Sequence, residues 1–316
     1  MLKRWLTPSF ADFVFAALFA WLVLSSPDSL SLLLKDSDTG WHIRTGHWIL
    51  DHRQFPYTDP FSFTRPGHLW FAWEWGADVI FAGFHQLGGL AMVSLASGLL
   101  ILAAMLVLLR WMIWRGSSIL VAFPLLLLAV SGSSLHYLAR PHIFSILFFV
   151  IALWLFDCDR RHPSPRIWLL APLTLLWVNI HGAWPILLVL GGTHLAASVL
   201  YRDGSALRLL RVLTACSAIS FVNPYGWHLH QHLFLNVSWK WVIEFIDEYQ
   251  SPKFRSEGLF HFELLLLAGV ATAFARAPRP RRPCRSSHRL ALGAYVSQLG
   301  SAYSFVSRSR YTRCCF

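Results

Sequence analysis

Apolar stretches, each near the roughly 20 residues that cross a bilayer, recur along most of the 316-residue chain and constrain its fold more than any single motif. They lie near Phe10–Leu34, Gly89–Leu109, Ser117–Leu135, Pro141–Phe156, Ile167–Ile180, Trp184–Leu200, Leu209–Val222 and Leu259–Phe274. With 55% hydrophobic residues, 16 tryptophans and only 14% charged residues, these stretches exceed what a soluble core could hide. The expected fold is an all-α membrane protein, a polytopic helical bundle of about eight spans. The two stretches between Arg166 and Tyr201 are short, which leaves a tilted or re-entrant arrangement open there.

The net charge of +11 does not point to nucleic acid, because basic residues in such a chain first obey the rule that places Lys and Arg on the cytoplasmic side. With the N-terminus inside, the inner connections carry Lys3 and Arg4, Arg110 and Arg115, Arg160, Arg161 and Arg166, then Arg202, Arg208 and Arg211, then the run Arg276 to Arg285. The outer side then receives 35–75, the turns at His136–Pro141 and His181, and 223–258, which hold most of the acidic residues and histidines. The expected location is the cell (inner) membrane, with membrane lipids as surroundings. Phe10 to Leu24 imitates a signal peptide but is followed by no small-x-small cleavage site, so it reads as an uncleaved first span. The five cysteines show neither a spaced metal motif nor a disulfide framework.

Residues 35–75 form the first outer loop and hold Asp36-Ser37-Asp38-Thr39-Gly40-Trp41-His42-Ile43-Arg44. Ser37, Asp38 and Thr39 are good helix caps, and a helix from there to about Asp51 places Asp38 and His42 one turn apart on one face. Capping is the bland role of the two aspartates. Company favours the functional one: His42, Arg44, and polar islands at other outer span ends. A second interfacial helix, from about Leu69 to Gln86, carries Glu74 and Asp78 at the same spacing, after a proline-broken connection. The islands are Arg140-Pro141-His142, where proline suits a first helical turn, Asn179-Ile180-His181-Gly182, and Asn223-Pro224-Tyr225-Gly226. His228, His230 and His232 alternate as in a strand, lack a fixed carboxylate partner, and read as interfacial histidines rather than a metal site.

At Asp36 to Arg44 the chain resembles the first outer loop of the GT-C glycosyltransferase superfamily, notably the Asp-x-Asp-x-x-Trp-His-x-Arg pattern of archaeal oligosaccharyltransferase catalytic subunits. It resembles more closely a set of uncharacterised bacterial multi-pass proteins that continue with elements found here as Asp59–Thr64, Arg140-Pro141, His181-Gly182 and Asn223–Gly226. The resemblance implies transfer of a sugar from a polyprenyl-phosphate-linked donor on the extracytoplasmic face. Asp36, Asp38 and His42 are then the candidate catalytic residues, and Asp36 and Asp38 also suit Mg²⁺ or Mn²⁺. Arg44, Glu74, Arg140, His142, His181, Asn223 and Tyr225 are the candidates for binding substrate. The chain departs from the pattern at Ala183-Trp184, and relatives continue into further spans where residues 276–316 form a basic, Arg/Ser/Cys-rich tail. That tail, expected beyond a transmembrane domain of residues 1–275, looks truncated or frame-shifted. The competing readings are a transporter or flippase for lipid carriers, suggested by Phe123-Pro124 and Trp184-Pro185, and a non-catalytic membrane scaffold.

Overall fold

The computed structural model describes residues 10–24, 30–246 and 259–276. Lys3, Arg4, Asp247, Glu248 and the tail beyond Arg276, with Cys284, Cys314 and Cys315, lie outside them. Among the described residues the chain is helical, and its one extended pairing is an isolated antiparallel bridge between Thr58 and Leu69. The helices are α1 (Phe10–Leu24), α2 (Asp38–His52), α3 (Trp75–Trp114), α4 (Ile119–Ser133), α5 (His142–Arg161), α6 (Leu170–Val178), α7 (Pro185–Tyr201), α8 (Ala206–Ile219), α9 (Trp227–Ser238), α10 (Lys240–Phe245) and α11 (Phe260–Arg276). Compact units divide at Met1–Ala268 and Gly269–Phe316, and the sites described below lie in the first.

Among the described residues three helical stretches are long and apolar enough to cross a membrane: Trp75–Trp114, Ile119–His136 and His142–Arg161. Pro165–Val178, Pro185–Tyr201 and Phe260–Ala275 are apolar but shorter. The stretch expected to span at Leu209–Val222 is instead a helix of 14 residues that starts among Arg208 and Arg211 and buries only Leu209, Val212 and Cys216. Leu207 and Leu210 on its other faces stay exposed. The Phe10–Leu34 stretch is likewise not one helix: α1 ends at Leu24, and Ser31–Leu34 is a separate 3-10 turn.

The 40-residue α3 is two helices joined end to end, because the backbone leaves helical geometry at Gly88 and Gly89. Gly89 sits at φ 62 and ψ −156, a conformation that side-chain-bearing residues avoid. The first part, Trp75 to about Leu87, packs against α2, and the second carries the apolar run. The helix expected from Leu69 begins only at Trp75, since Leu69 is already committed to the bridge. Trp70 N–H donates to Tyr57 O at 3.2 Å and Asp59 N–H to His68 O at 2.8 Å. Asp59 Oδ1 also accepts the N–H groups of Phe61 and Ser62, at 2.8 and 2.9 Å, which turns the chain at Pro60.

Two apolar cores hold the helices together. One gathers Phe81, Ile101, Leu126 and Ile143 from α3, α4 and α5; the other gathers Phe156, Leu170, Trp177 and Leu187 from α5, α6 and α7. Ion pairs mark which helix ends meet. Arg115, just beyond α3, binds Asp157 near the end of α5 at 2.5 Å, and Arg208 at the start of α8 binds Asp159 at 2.8 Å. The starts of α3 and α5 and the α6–α7 turn therefore lie together at the opposite end.

Candidate functional site

At that opposite end, α2 and the first part of α3 are in backbone contact. A Cβ on Gly46 would stand 1.9 Å from the carbonyl oxygen of Asp78 and 2.7 Å from Cβ of Ala82, so only glycine permits the approach. The approach brings His42 and Asp78, 36 residues apart in sequence, to 2.6 Å between Nδ1 and Oδ1. On its other edge His42 faces Glu74, with Nε2 3.8 Å from Oε2. All three side chains are buried. His42 thus does not work with Asp38, as one-turn spacing suggested; its ring turns inward between α2 and α3, whereas Asp38 opens the helix with its carboxylate at the rim.

Arg140 is what Asp36 and Asp38 share. Its Nη1 lies 3.0 Å from Asp36 Oδ2 and its Nη2 2.9 Å from Asp38 Oδ2. The backbone delivers it there: Ala139 N–H donates to Leu33 O at 2.7 Å, and the Thr39 hydroxyl donates to Ala139 O at 3.0 Å. The segment before α5 is thereby tied to both flanks of the aspartate pair. Asp36 Oδ1 in turn accepts Asp38 N–H at 2.8 Å, an Asx turn that opens α2.

The fourth contributor is the turn between α6 and α7. His181 Nε2 lies 3.4 Å from Glu74 Oε1, and Gly182 N–H donates to the same carboxylate. The tautomer of His181 follows from its other edge. Trp177 Nε1–H donates to Ser145 Oγ at 2.7 Å, leaving the serine proton for His181 Nδ1, 2.7 Å away, and Ala183 N–H points to the same nitrogen at 3.3 Å. Nε2 therefore carries the hydrogen and presents it to Glu74. Asn179 fixes this turn on the start of α3, its Oδ1 accepting Trp75 Nε1–H at 2.9 Å and its backbone O accepting Gly76 N–H at 2.8 Å.

Burial sets the protonation states. It pushes the Glu74 carboxyl up to about 7, against the lowering effect of His42. Burial also holds His181 down to about 3, reinforced by the nearby His142, His42 and Arg140, so it stays neutral. For His42 burial opposes the charge, but the hydrogen bond and charge of Asp78, with Glu74 added, outweigh it and raise its pKa. A neutral imidazole, and a second whose pKa is raised, thus flank a carboxyl group held well above the usual carboxylate range.

The structure brings together seven of the ten candidates: Asp36, Asp38, His42, Glu74, Arg140, His142 and His181. His142 enters at the edge, its Nε2 2.5 Å from His136 O and its ring 6.4 Å from that of His181. Arg44 is exposed on the outside of α2. Asn223 and Tyr225 do another task. Asn223 closes its own turn, accepting Tyr225 N–H at 2.9 Å, and the buried Tyr225 hydroxyl donates to Pro56 O at 3.2 Å and accepts Ala72 N–H at 3.1 Å. They pin the proline-rich connection between α2 and α3. Sequence reasoning did not single out Asp78, Ser145 or Trp177 as site residues, although the one-turn spacing of Glu74 and Asp78 pointed at the first.

Beside His181 a cavity of about 540 Å³ opens against α9, walled by Trp73, Gly182, Trp184, His230 and Phe234. His230 and His232 are held on helix α9, not a strand, packed on Trp184 and on Phe71 and Trp73 respectively. Comparison with protein-family models, with curated proteins and with solved structures gives no match in any of the three.

Proposed function

We propose that the chain is an integral membrane glycosyltransferase of the GT-C kind, moving a sugar from a polyprenyl-phosphate donor to an acceptor at the extracytoplasmic face of the inner membrane. The observation that carries the reading is the Asp36–Arg140–Asp38 unit set beside the buried Glu74, His42 and His181, at the shared end of long apolar helices. A lipid-phosphate donor needs a polar reaction centre at the membrane surface and an apolar seat next to it. The cavity beside His181 is of a size usual for small-molecule sites and largely aromatic in its walls.

In this reading the acceptor hydroxyl gives its proton to a carboxylate as its oxygen attacks the anomeric carbon, and the bond from that carbon to the phosphate oxygen breaks. Asp38, at the rim, is the proton acceptor. Arg140 is the phosphate contact, exchanging its two aspartates for the leaving group as charge develops there. Asp36 and Asp38 converge on one cation already and offer the oxygen donors that Mg²⁺ or Mn²⁺ prefer. Among the described residues no three His, Cys, Asp or Glu side chains are grouped to hold a metal. An ion bound here would supply charge for the leaving phosphate and would rest on these two carboxylates, with substrate and water completing its shell.

The test is metabolic labelling with a radioactive sugar donor in membranes carrying wild-type protein or Asp38→Asn, which keeps shape and removes the charge. Transfer into lipid-extractable or acceptor material should fall at least about 100-fold, the scale of a lost general base. Undiminished transfer in Asp38→Asn would sink the assignment. Carrier translocation without any transfer, in both proteins, would favour a flippase.

A further inference from the structure

The other end of the bundle carries a second cavity, of about 360 Å³, between α3, α5 and α7. Leu153 and Ala197 are its aliphatic lining, Arg160, Thr193 and His194 its polar one, and Trp111 and Asp157 complete the wall. Asp157 is already satisfied. Its Oδ1 takes Arg115 Nη1 at 2.5 Å and its Oδ2 takes Trp111 Nε1–H at 3.0 Å. Two further guanidinium groups stand off the same carboxylate, Arg160 at 3.5 Å and Arg161 at 3.6 Å, with side chains 59% and 39% exposed. Asp159 adds no compensation, because Arg208 holds it at 2.8 Å. Three arginines thus share one buried carboxylate, and the surplus positive charge lies at the mouth of a half-apolar groove.

That position is where α3 and α5, both long and apolar enough to span, reach their Arg-rich ends. With this end inside, as the bias of basic residues expects, phosphates of the cytoplasmic leaflet would lie beside it, and basic pockets between helix ends attract anionic headgroups. A planar guanidinium also matches two phosphate oxygens at once. We propose that this cavity binds an anionic phospholipid of the cytoplasmic leaflet, with its phosphate on Arg160 and an acyl chain along Leu153 and Ala197. Arg115 and Arg161 set the potential of the pocket, and Trp114, over which Arg161 lies at 5.6 Å from the ring centroid, steadies that rim. The proposal needs the chain to span a membrane with this end toward the cytoplasm but does not need it to transfer a sugar.

The full chain, stripped of lipid in a mild neutral detergent, is titrated with phosphatidylglycerol, phosphatidylcholine or inorganic phosphate, and bound species are counted by native mass spectrometry. Phosphatidylglycerol should be retained at least about tenfold better than phosphatidylcholine, and millimolar inorganic phosphate should not displace it. Arg160→Gln, a change at an exposed side chain, should lose that preference, while Arg202→Gln, an exposed arginine outside the cavity, should keep it. Equal retention of the two lipids by the wild type, unchanged preference in Arg160→Gln, or full displacement by inorganic phosphate would each overturn the proposal. Sugar transfer is not part of the readout, so a failure here leaves the glycosyltransferase reading where it was.

Discussion

Glu74 is a buried carboxyl pushed well above the usual carboxylate range, and its titration offers a direct test of the site. Held at about 7 by burial, it keeps its proton over a range where an unfolded glutamate has lost it. Its contribution to stability is therefore greatest below about 4.5 and declines as pH rises through about 7. His181 runs the other way: with its pKa down at about 3, its contribution is present above 6.5 and is lost as pH falls. The two oppose each other between those limits, so the melting temperature of the wild type alone does not isolate either. Comparison with Glu74→Gln does, and wild type should lose several degrees relative to that variant between pH 5 and pH 8. Dicyclohexylcarbodiimide, which modifies protonated carboxyls in apolar surroundings, should label Glu74 strongly at pH 6 and weakly at pH 8. Labelling that ignores pH would show that the carboxyl is not held as described.

Between elements, the decisive contact is α2 on the first part of α3, and it explains what the sequence could and could not reveal. The start of α2 near Asp38, the start of α5 after Pro141 and the helix-breaking character of 55–64 were readable, although the side chain that opens α2 is Asp36 rather than Ser37, Asp38 or Thr39. The pairing of His42 with Asp78 was not, because it depends on which faces the two helices turn to each other across a 36-residue separation. The glycine that sets this contact, Gly46, carries no local signal either. A test at this scale is Gly46→Leu, which must push α2 off Asp78 and should cost about 1–3 kcal/mol or more, with loss of the His42–Asp78 contact. Gly40→Ala, whose Cβ would meet nothing within 4 Å, should be neutral or slightly stabilising in the same thermal assay. Equal effects from the two substitutions would contradict the packing.

For the whole molecule, the charge pattern and the three-dimensional arrangement say the same thing by separate routes. Arg115, Arg160, Arg161 and Arg208 meet at one end through Asp157 and Asp159, and Asp36, Asp38, His42, Glu74, Arg140 and His181 meet at the other. The sequence already assigned these groups to opposite sides, since the bias of basic residues needs no knowledge of packing. It could not fix the number of spans, because apolar stretches such as those of α6 and α8 fold into helices of 9 and 14 residues, shorter than a bilayer requires. The central claim is that the acidic and histidine-rich end faces away from the cytoplasm, and cysteine accessibility tests it most directly. In a cysteine-free background, Arg44→Cys, exposed beside the site, should react with a membrane-impermeant maleimide on intact cells, while Arg202→Cys should react only after permeabilisation. Labelling of Arg202→Cys from outside, with Arg44→Cys protected until the cells are opened, would contradict it.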